Sequence, residues 1–218
     1  MTIPVLTIDG PSGAGKGTVS RTVAKKLGWH YLDSGSIYRS LAIAALDKAI
    51  ELTDVASLVS AAKAMSLEFE CGDELSVTLD GVDITSRLPS ETTGNTASII
   101  AAYPEVRAVL LQKQKDFQQA PGLVADGRDM GTVVFPEASN KVFLTASAKE
   151  RASRRYKQLK EKGIDANLVK ITEEIEARDR RDLERASAPL KAADDSLFID
   201  SSDLSIDQVI AEVMNLVQ

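Results

Sequence analysis

One cysteine and one histidine occur in 218 residues, and aromatic residues make up only 5%. A lone Cys71 excludes an internal disulfide and suits a reducing compartment. Its acidic neighbours Glu70, Asp73 and Glu74 would raise a thiol pKa, which favours a structural role over a nucleophilic one. His30, the single histidine, falls inside a short strand pattern and reads as structural, so the commonest general base is missing. No apolar run approaches the ~20 residues that span a bilayer. The N-terminus has no basic flank, and its apolar run is too short for a secretory signal. The expectation is a cytoplasmic chain without a membrane partner. A net charge of −6 argues against a broad nucleic-acid surface.

What is present is an ordinary globular composition, 44% hydrophobic and 27% charged. The length suffices for one α/β core with a small insert. Charge is unevenly spread. Residues 149–185 hold 12 Lys/Arg against 9 Asp/Glu, a balance of +3 that leaves −9 for the rest. Positive charge collected in one late segment is expected where that segment covers a polyphosphate.

The most informative stretch is Gly10-Pro11-Ser12-Gly13-Ala14-Gly15-Lys16-Gly17-Thr18. It follows the apolar run from Ile3 to Ile8 and opens an amphipathic stretch reaching about Leu27. Strand, glycine-rich loop and helix form the context a phosphate-binding P-loop requires. Glycines let backbone N–H groups turn inward around an anion, and the helix directs its positive dipole end at the same place. Lys16 can reach the outer phosphates, and the Thr18 hydroxyl can join the shell of a phosphate-bound Mg²⁺. Gly17 stands where the general pattern has Ser or Thr, a variant found in nucleoside monophosphate kinases.

Further along, His30–Asp33 reads as a second strand, followed by helices over about 36–50 and 55–65. Residues 66–71 and 75–79 alternate apolar and polar around Gly72-Asp73-Glu74, a hairpin signal, and Val82–Ile84 makes a short third strand. Antiparallel strands within an otherwise alternating β/α chain predict an inserted subdomain. Helices follow at 91–101 and after Pro104, then a buried strand at 123–125 leading into the loop Asp126–Asp129. A strand at 141–144, charged helices at about 148–162 and 168–187, a strand at 196–200 and a closing helix from 205 to 217 complete the chain. That helix places Ile206, Val209, Ile210, Val213 and Val217 on one face. The order implies a doubly wound, mainly parallel sheet with ligands at the carboxyl ends of its strands.

Three motifs meet at those ends. Besides the P-loop, Asp33-Ser34-Gly35 opens a helix that carries Arg39 one turn on; Ser34 would cap it or donate to an anion. In Asp126-Gly127-Arg128-Asp129, Arg128 could clamp a phosphate bidentately. Asp126 or Asp129 could serve Mg²⁺ through water or accept from a base amine. In the helix over 168–187, Ile171, Ile175, Arg178, Asp182 and Arg185 share one face that turns from apolar to charged. A monophosphate acceptor is already an oxyanion at neutral pH, because its second pKa lies near ~6, so no strong base is needed. The residues alone leave open other acceptors, such as AMP, UMP or shikimate, and an ATP-binding switch without catalysis.

From Ile8 to beyond Pro189 the chain resembles the bacterial type of cytidylate kinase. The resemblance rests on the P-loop, on Leu32–Arg39, on Ala125–Thr132 and on Arg178-Asp179-Arg180-Arg181-Asp182. It implies an α/β, three-layer P-loop kinase fold with a parallel central sheet. One unit over 1–218 would carry a small antiparallel monophosphate-binding insert at about 60–100 and a helical lid at about 150–165. It implies transfer of the ATP γ-phosphate to CMP and dCMP, with Mg²⁺, by a cytoplasmic monomer of pyrimidine nucleotide metabolism. Gly10 to Thr18 would hold ATP, and Ser34, Arg39 and Arg128 the acceptor phosphate. Ser98, Arg107, Asp129 and Arg185 would surround the cytosine, and Arg178 and Asp182 would lie near the ribose. Arg154 and Arg155 would close over the transferring phosphate, joining Lys16, Arg128 and Arg178 as the catalytic set.

Overall fold

A computed structural model describes residues 3–71, 75–161, 163 and 165–217. The turn expected at Gly72-Asp73-Glu74 and the role expected for the Cys71 side chain lie outside the described residues. Chain order begins with β1 (Val5–Asp9), α1 (Lys16–Leu27), β2 (His30–Asp33), α2 (Ser34–Asp47) and α3 (Val55–Ala64). The strands β3 (Leu67–Cys71), β4 (Leu75–Leu79) and β5 (Val82–Asp83) come next, then α4 (Glu91–Ile100) and α5 (Pro104–Lys115). The remainder is β6 (Leu123–Gly127), β7 (Asn140–Thr145), α6 (Ala148–Glu161), α7 (Leu168–Glu184), β8 (Leu197–Asp200) and α8 (Ile206–Val217).

The main sheet has the order β2-β6-β1-β7-β8, with every neighbouring pair parallel. All five residues of β1 are buried. Helices cover both faces of a parallel sheet, so a central strand reads as a continuous apolar run. Side-chain alternation sorts the core into two halves. Val5 joins the half formed by α2 to α5, whereas Leu6 and Ile8 join the half formed by α1 and α8. These are the three layers expected. In α8, Val209, Ile210 and Val213 are buried, but Ile206 stays 42% exposed, because only about half of that helix's apolar stripe meets the sheet.

The second sheet, β3-β4-β5, is antiparallel throughout. Its inward side chains Val77 and Leu79 belong to the same core as α2 and α5. Phe69 of β3 meets Phe117 beyond α5 edge to face, with ring centroids 5.1 Å apart. The third strand stops one residue short of the expected Ile84, which turns into the core and is 2% exposed.

Several expected boundaries move. The helix expected from 36 begins at Ser34, because Asp33 caps it: its carboxylate accepts from the backbone N–H of Ser36 at 3.0 Å and from the Ser36 hydroxyl at 2.7 Å. Ser34 is therefore not the cap. The buried strand extends beyond Ala125, because Asp126 pairs with Ile8 and Asp33, and Gly127 with Asp9. Helix α7 ends at Glu184 instead of 187. Arg185 leaves helical geometry with ψ 131°, and the Leu190 N–H closes back on the Asp182 carbonyl at 2.8 Å.

Between β1 and α1 the loop needs its glycines. Gly10 has φ 151°, and a Cβ there would stand 1.9 Å from the Leu144 carbonyl oxygen of β7. Gly15, the last residue before α1, has φ 93°. The loop thereby lies against the sheet, at the same edge as the C-terminal ends of β2, β6 and β7.

Candidate active site

At the P-loop, Lys16 is buried and donates through Nζ to the Pro11 carbonyl at 3.0 Å. Asp126 Oδ1 stands 3.8 Å away from that ammonium. Burial, with Arg128 next in weight, pushes the lysine down to about 8, partly opposed by Asp126. Burial lifts Asp126 to about 6, with Lys16 opposing, and the Tyr31 hydroxyl donates to its Oδ2 at 3.4 Å. The Thr18 side chain is exposed on the first turn of α1. Beneath the loop, Asp9 accepts from the backbone N–H groups of Met130 and Gly131, both at 2.8 Å. It thus ties the segment carrying Arg128 and Asp129 to the strand carrying the loop.

Across the strand ends, three guanidinium groups converge. Burial, then Arg128 and Arg39, pushes Arg178 down to about 9. Its Nε is buried without a hydrogen-bond partner among the described residues. Arg39 is likewise lowered by burial, with Arg128 and Arg155 adding to it. It donates to the Leu88 carbonyl. Burial works against the Arg128 cation too, but Asp182, bonded to its Nε at 2.8 Å, reverses the sign and raises it. Arg128 and Arg39 thus crowd the Arg178 cation in a part-dry site, where a neighbouring anion would be favoured. Ser34 is brought to this cluster, but its hydroxyl donates to Gln114 Oε1 at 2.7 Å.

Beyond the guanidiniums the cleft continues between α2, α4 and α7, enclosing about 460 Å³, part of it open to solvent. Arg107 donates to Asp129 and lies 5.7 Å over the Tyr38 ring. Asp129 is raised by burial, with Arg107 and Arg185 opposing. Burial pushes Tyr38 up to about 12. The Tyr38 hydroxyl and Arg185 Nε are both buried without partners among the described residues. Ser98 also lines this end and accepts from Arg181 Nε at 3.1 Å.

The structure therefore separates two carboxylates that the sequence left interchangeable. Asp126 faces Lys16, and Asp129 faces Arg107. Ser34, Ser98, Arg107, Arg128, Asp129, Arg178, Asp182 and Arg185 line one cleft, with Arg39 beside Arg178 at Gly94. Arg154 and Arg155 are not brought to it. Arg154 donates to Glu150 at 3.0 Å and to the Ser201 carbonyl at 2.6 Å; Arg155 bonds Glu91 and the Pro89 carbonyl. Sequence reasoning passed over Arg151, whose side chain donates to the Ser12 carbonyl at 3.0 Å and pairs with Asp179 of α7. Its spacing from Arg154 and Arg155 on one helix was the available signal. Tyr38 was also passed over, although it lies four residues beyond Ser34 and so on the same helical face. Asp9 and Arg181 act through contacts distant in sequence, so no local spacing marks what they do.

A P-loop opposite a second cluster of guanidiniums, set at the ends of parallel strands in a three-layer fold, defines a P-loop kinase. Comparison with known proteins narrows the class. The family described as cytidylate kinase matches residues 6–218. A cytidylate kinase of Methylococcus capsulatus is 58% identical over 217 residues, covering 100% of this chain and 98% of that protein. One of Aeromonas salmonicida is 56% identical over 212 residues, covering 97% and 92%. The chain belongs to the cytidylate kinase family.

Proposed function

We propose that the protein transfers the γ-phosphate of ATP to CMP, and to dCMP, giving ADP and CDP or dCDP. The observation that carries this reading is the buried Arg178 Nε, without a partner among the described residues, beside Arg39 and Arg128 and near enough to Lys16 of the P-loop to lower it. A second phosphate site is what a phosphate-accepting kinase needs and a nucleotide sensor does not. Gly10 to Thr18 would wrap the ATP phosphates, with Lys16 exchanging the Pro11 carbonyl for a phosphate oxygen. Arg39, Arg128 and Arg178 would hold the acceptor phosphate, assisted by Ser34. Asp129, with Ser98, Arg107 and Arg185, would take the cytosine, whose N4 amine donates and whose N3 and O2 accept. Asp182 would lie near the ribose.

The acceptor phosphate attacks as an oxyanion: its oxygen bonds to the γ-phosphorus while the bond to the β-phosphate oxygen breaks. Positioning and neutralisation suffice for this step. No side chain has to remove a proton, in keeping with His30 lying at the opposite end of β2, on the Ala120 carbonyl. Mg²⁺ fits the P-loop side. Asp126, a buried carboxylate 3.8 Å from Lys16, and the exposed Thr18 hydroxyl are the oxygens a hard cation would find there. Among the described residues, no group of three His, Cys, Asp or Glu side chains could hold a metal alone, so the cation would arrive with the nucleotide. Once bound it would neutralise phosphate charge.

The chain acts in this reading as one unit over 1–218, with β3–β5 in a monophosphate-binding insert at about 60–100 and α6 in a lid at about 150–165. Closure of both would exclude water and bring Arg154 and Arg155 from their present partners to the transferring phosphate. The setting we infer is a cytoplasmic monomer without nucleic acid. Among the described residues no helix is long and apolar enough to cross a membrane. A coupled ADP-release assay across CMP, dCMP, UMP, AMP and shikimate tests the proposal. CMP is expected to give the highest kcat/KM; equal or better turnover of AMP or shikimate would overturn it.

A further inference from the structure

We propose that Arg181 is a positioning residue for base selection: by donating to Ser98 it turns the Ser98 hydroxyl to donate toward the cleft. The inference rests on the reading of that end of the cleft as the base site. Arg181 lies on α7 and does not line the cleft. Its Nε donates to Ser98 Oγ at 3.1 Å, and its Nη2 reaches Asn95 Oδ1 at 3.3 Å. Both partners stand on α4, so the guanidinium spans two helices and is held at two points.

The polarity of this contact is not ambiguous. A guanidinium has N–H donors and no acceptor, so Ser98 Oγ accepts. A serine hydroxyl carries one proton, and the Ser98 proton has no acceptor among the described residues. Ser98 is 4% exposed and lines the cleft with Ala97 and Ala101 of its own segment and with Tyr38, Arg107 and Asp129. The hydroxyl therefore points its remaining hydrogen-bonding capacity into the cleft as a donor. An unrestrained hydroxyl could rotate and accept instead. Cytosine presents acceptors at N3 and O2, whereas uracil presents a donor at N3–H. Accepting from Arg181 takes one of the two Ser98 lone pairs and turns its proton away from the guanidinium, which biases the serine to donate. That favours the first base and sets a donor against the N3–H of the second. Asp129 applies the matching restriction across the cleft, accepting from an amine and repelling a carbonyl oxygen. Arg181 thus enforces discrimination without touching substrate.

Arg181→Met removes the donor and keeps the methylene length. The expected result is a fall of about tenfold in the CMP-to-UMP ratio of kcat/KM, in line with loss of one hydrogen bond to a charged group. KM for ATP and the far-UV spectrum should not change. In a Ser98→Ala background the same substitution should leave the ratio where Ser98→Ala alone puts it, because the hydroxyl to be oriented is gone. A residue that merely braces α7 against α4 would lower stability and kcat for both nucleotides and leave the ratio alone. An unchanged ratio in folded Arg181→Met, or an equal further loss in the Ser98→Ala background, overturns the proposal. Should Arg181→Met not fold, Arg181→Gln is judged on the same ratio and the same cycle. If the wild-type enzyme turns over no CMP, the proposed function itself fails. If it prefers CMP and the variant keeps that preference, only the role of Arg181 fails.

Discussion

Replacing Arg178 by methionine should make the free protein more stable while nearly abolishing turnover. The side chain sits on α7 with its guanidinium beside Arg128 and Arg39, and burial is the largest cause of its fall from the ordinary arginine range to about 9. At ~1.4 kcal/mol for each tenfold step, that gap corresponds to an upper bound of ~5 kcal/mol of charge held against its preference. Water reaches part of the side chain and screens the repulsion, which leaves about 2 kcal/mol as the working figure. Methionine keeps the length and polarizable bulk and removes the charge and the unpartnered Nε. For a chain of this size the gain is about 4–8 °C in Tm. Because the shift is downward for a cation, the penalty is fully present at every pH below about 9. It fades only as pH rises from about 9 toward the ordinary arginine range, so the Tm difference should be flat between pH 6 and 8. CMP reverses the order: at a hundredfold excess over Kd it adds ~2.7 kcal/mol to the wild type and little to the variant. Turnover of CMP should fall by ~10²–10³. Thermal unfolding with and without CMP, alongside a coupled assay, decides the matter. A variant less stable than wild type without ligand, yet stabilised equally by CMP, would refute the argument that Arg178 stores repulsion for an anion.

Lys16→Ala should lower kcat by ~10³ with an unchanged far-UV spectrum, since among the described residues Nζ has only the Pro11 carbonyl as a hydrogen-bond acceptor. Near-normal turnover would remove Lys16 from the mechanism. Asp182→Ala should reduce kcat/KM for both CMP and dCMP, because Arg128 loses its bond at 2.8 Å, with about tenfold more lost for CMP if the carboxylate reads the 2′-hydroxyl. Equal losses would restrict Asp182 to holding Arg128. Asp9→Asn tests the buried carboxylate under the P-loop, lifted to about 7 by burial. A raised carboxylate favours the folded state in its protonated form, so its ionisation cost is absent below 3.8 and complete above about 7. Relative to wild type the variant should therefore gain stability across that window, by up to ~4 kcal/mol, less the bond lost to Met130 or Gly131. Urea unfolding at pH 5 and pH 8 measures it, and a difference independent of pH would contradict the assignment.

The P-loop was legible because its chemistry is local. Nine consecutive residues carry the glycines, the lysine and the threonine, and the flanking strand and helix patterns set their frame. The parallel sheet and the antiparallel hairpin were legible for the same reason, since period-2 and period-3.6 patterns act within a dozen residues. Helix ends were less so. Asp33 rather than Ser34 caps α2, and strand pairing carries β6 through Gly127, because caps and ladders are settled by whichever partner arrives in space. Local pattern also marked Ser34, Arg39, Arg128, Asp129, Arg178, Asp182 and Arg185 as candidates, whereas Ser98 and Arg107 came only through the family resemblance. The residues alone left the roles of Asp126 and Asp129 undivided. Asp126 and Asp129 are three residues apart and alike in chemistry. Only the fold directs one toward Lys16 and the other toward Arg107. It alone places Asp9 under Met130 and Gly131, 121 and 122 residues away, and Arg181 against Ser98, 83 residues away. Those bonds depend on how β1, β6, α4 and α7 pack together. Short-range pattern announces the elements of this protein; the polarity of its substrate cleft comes from contacts that exist only once the chain has closed on itself.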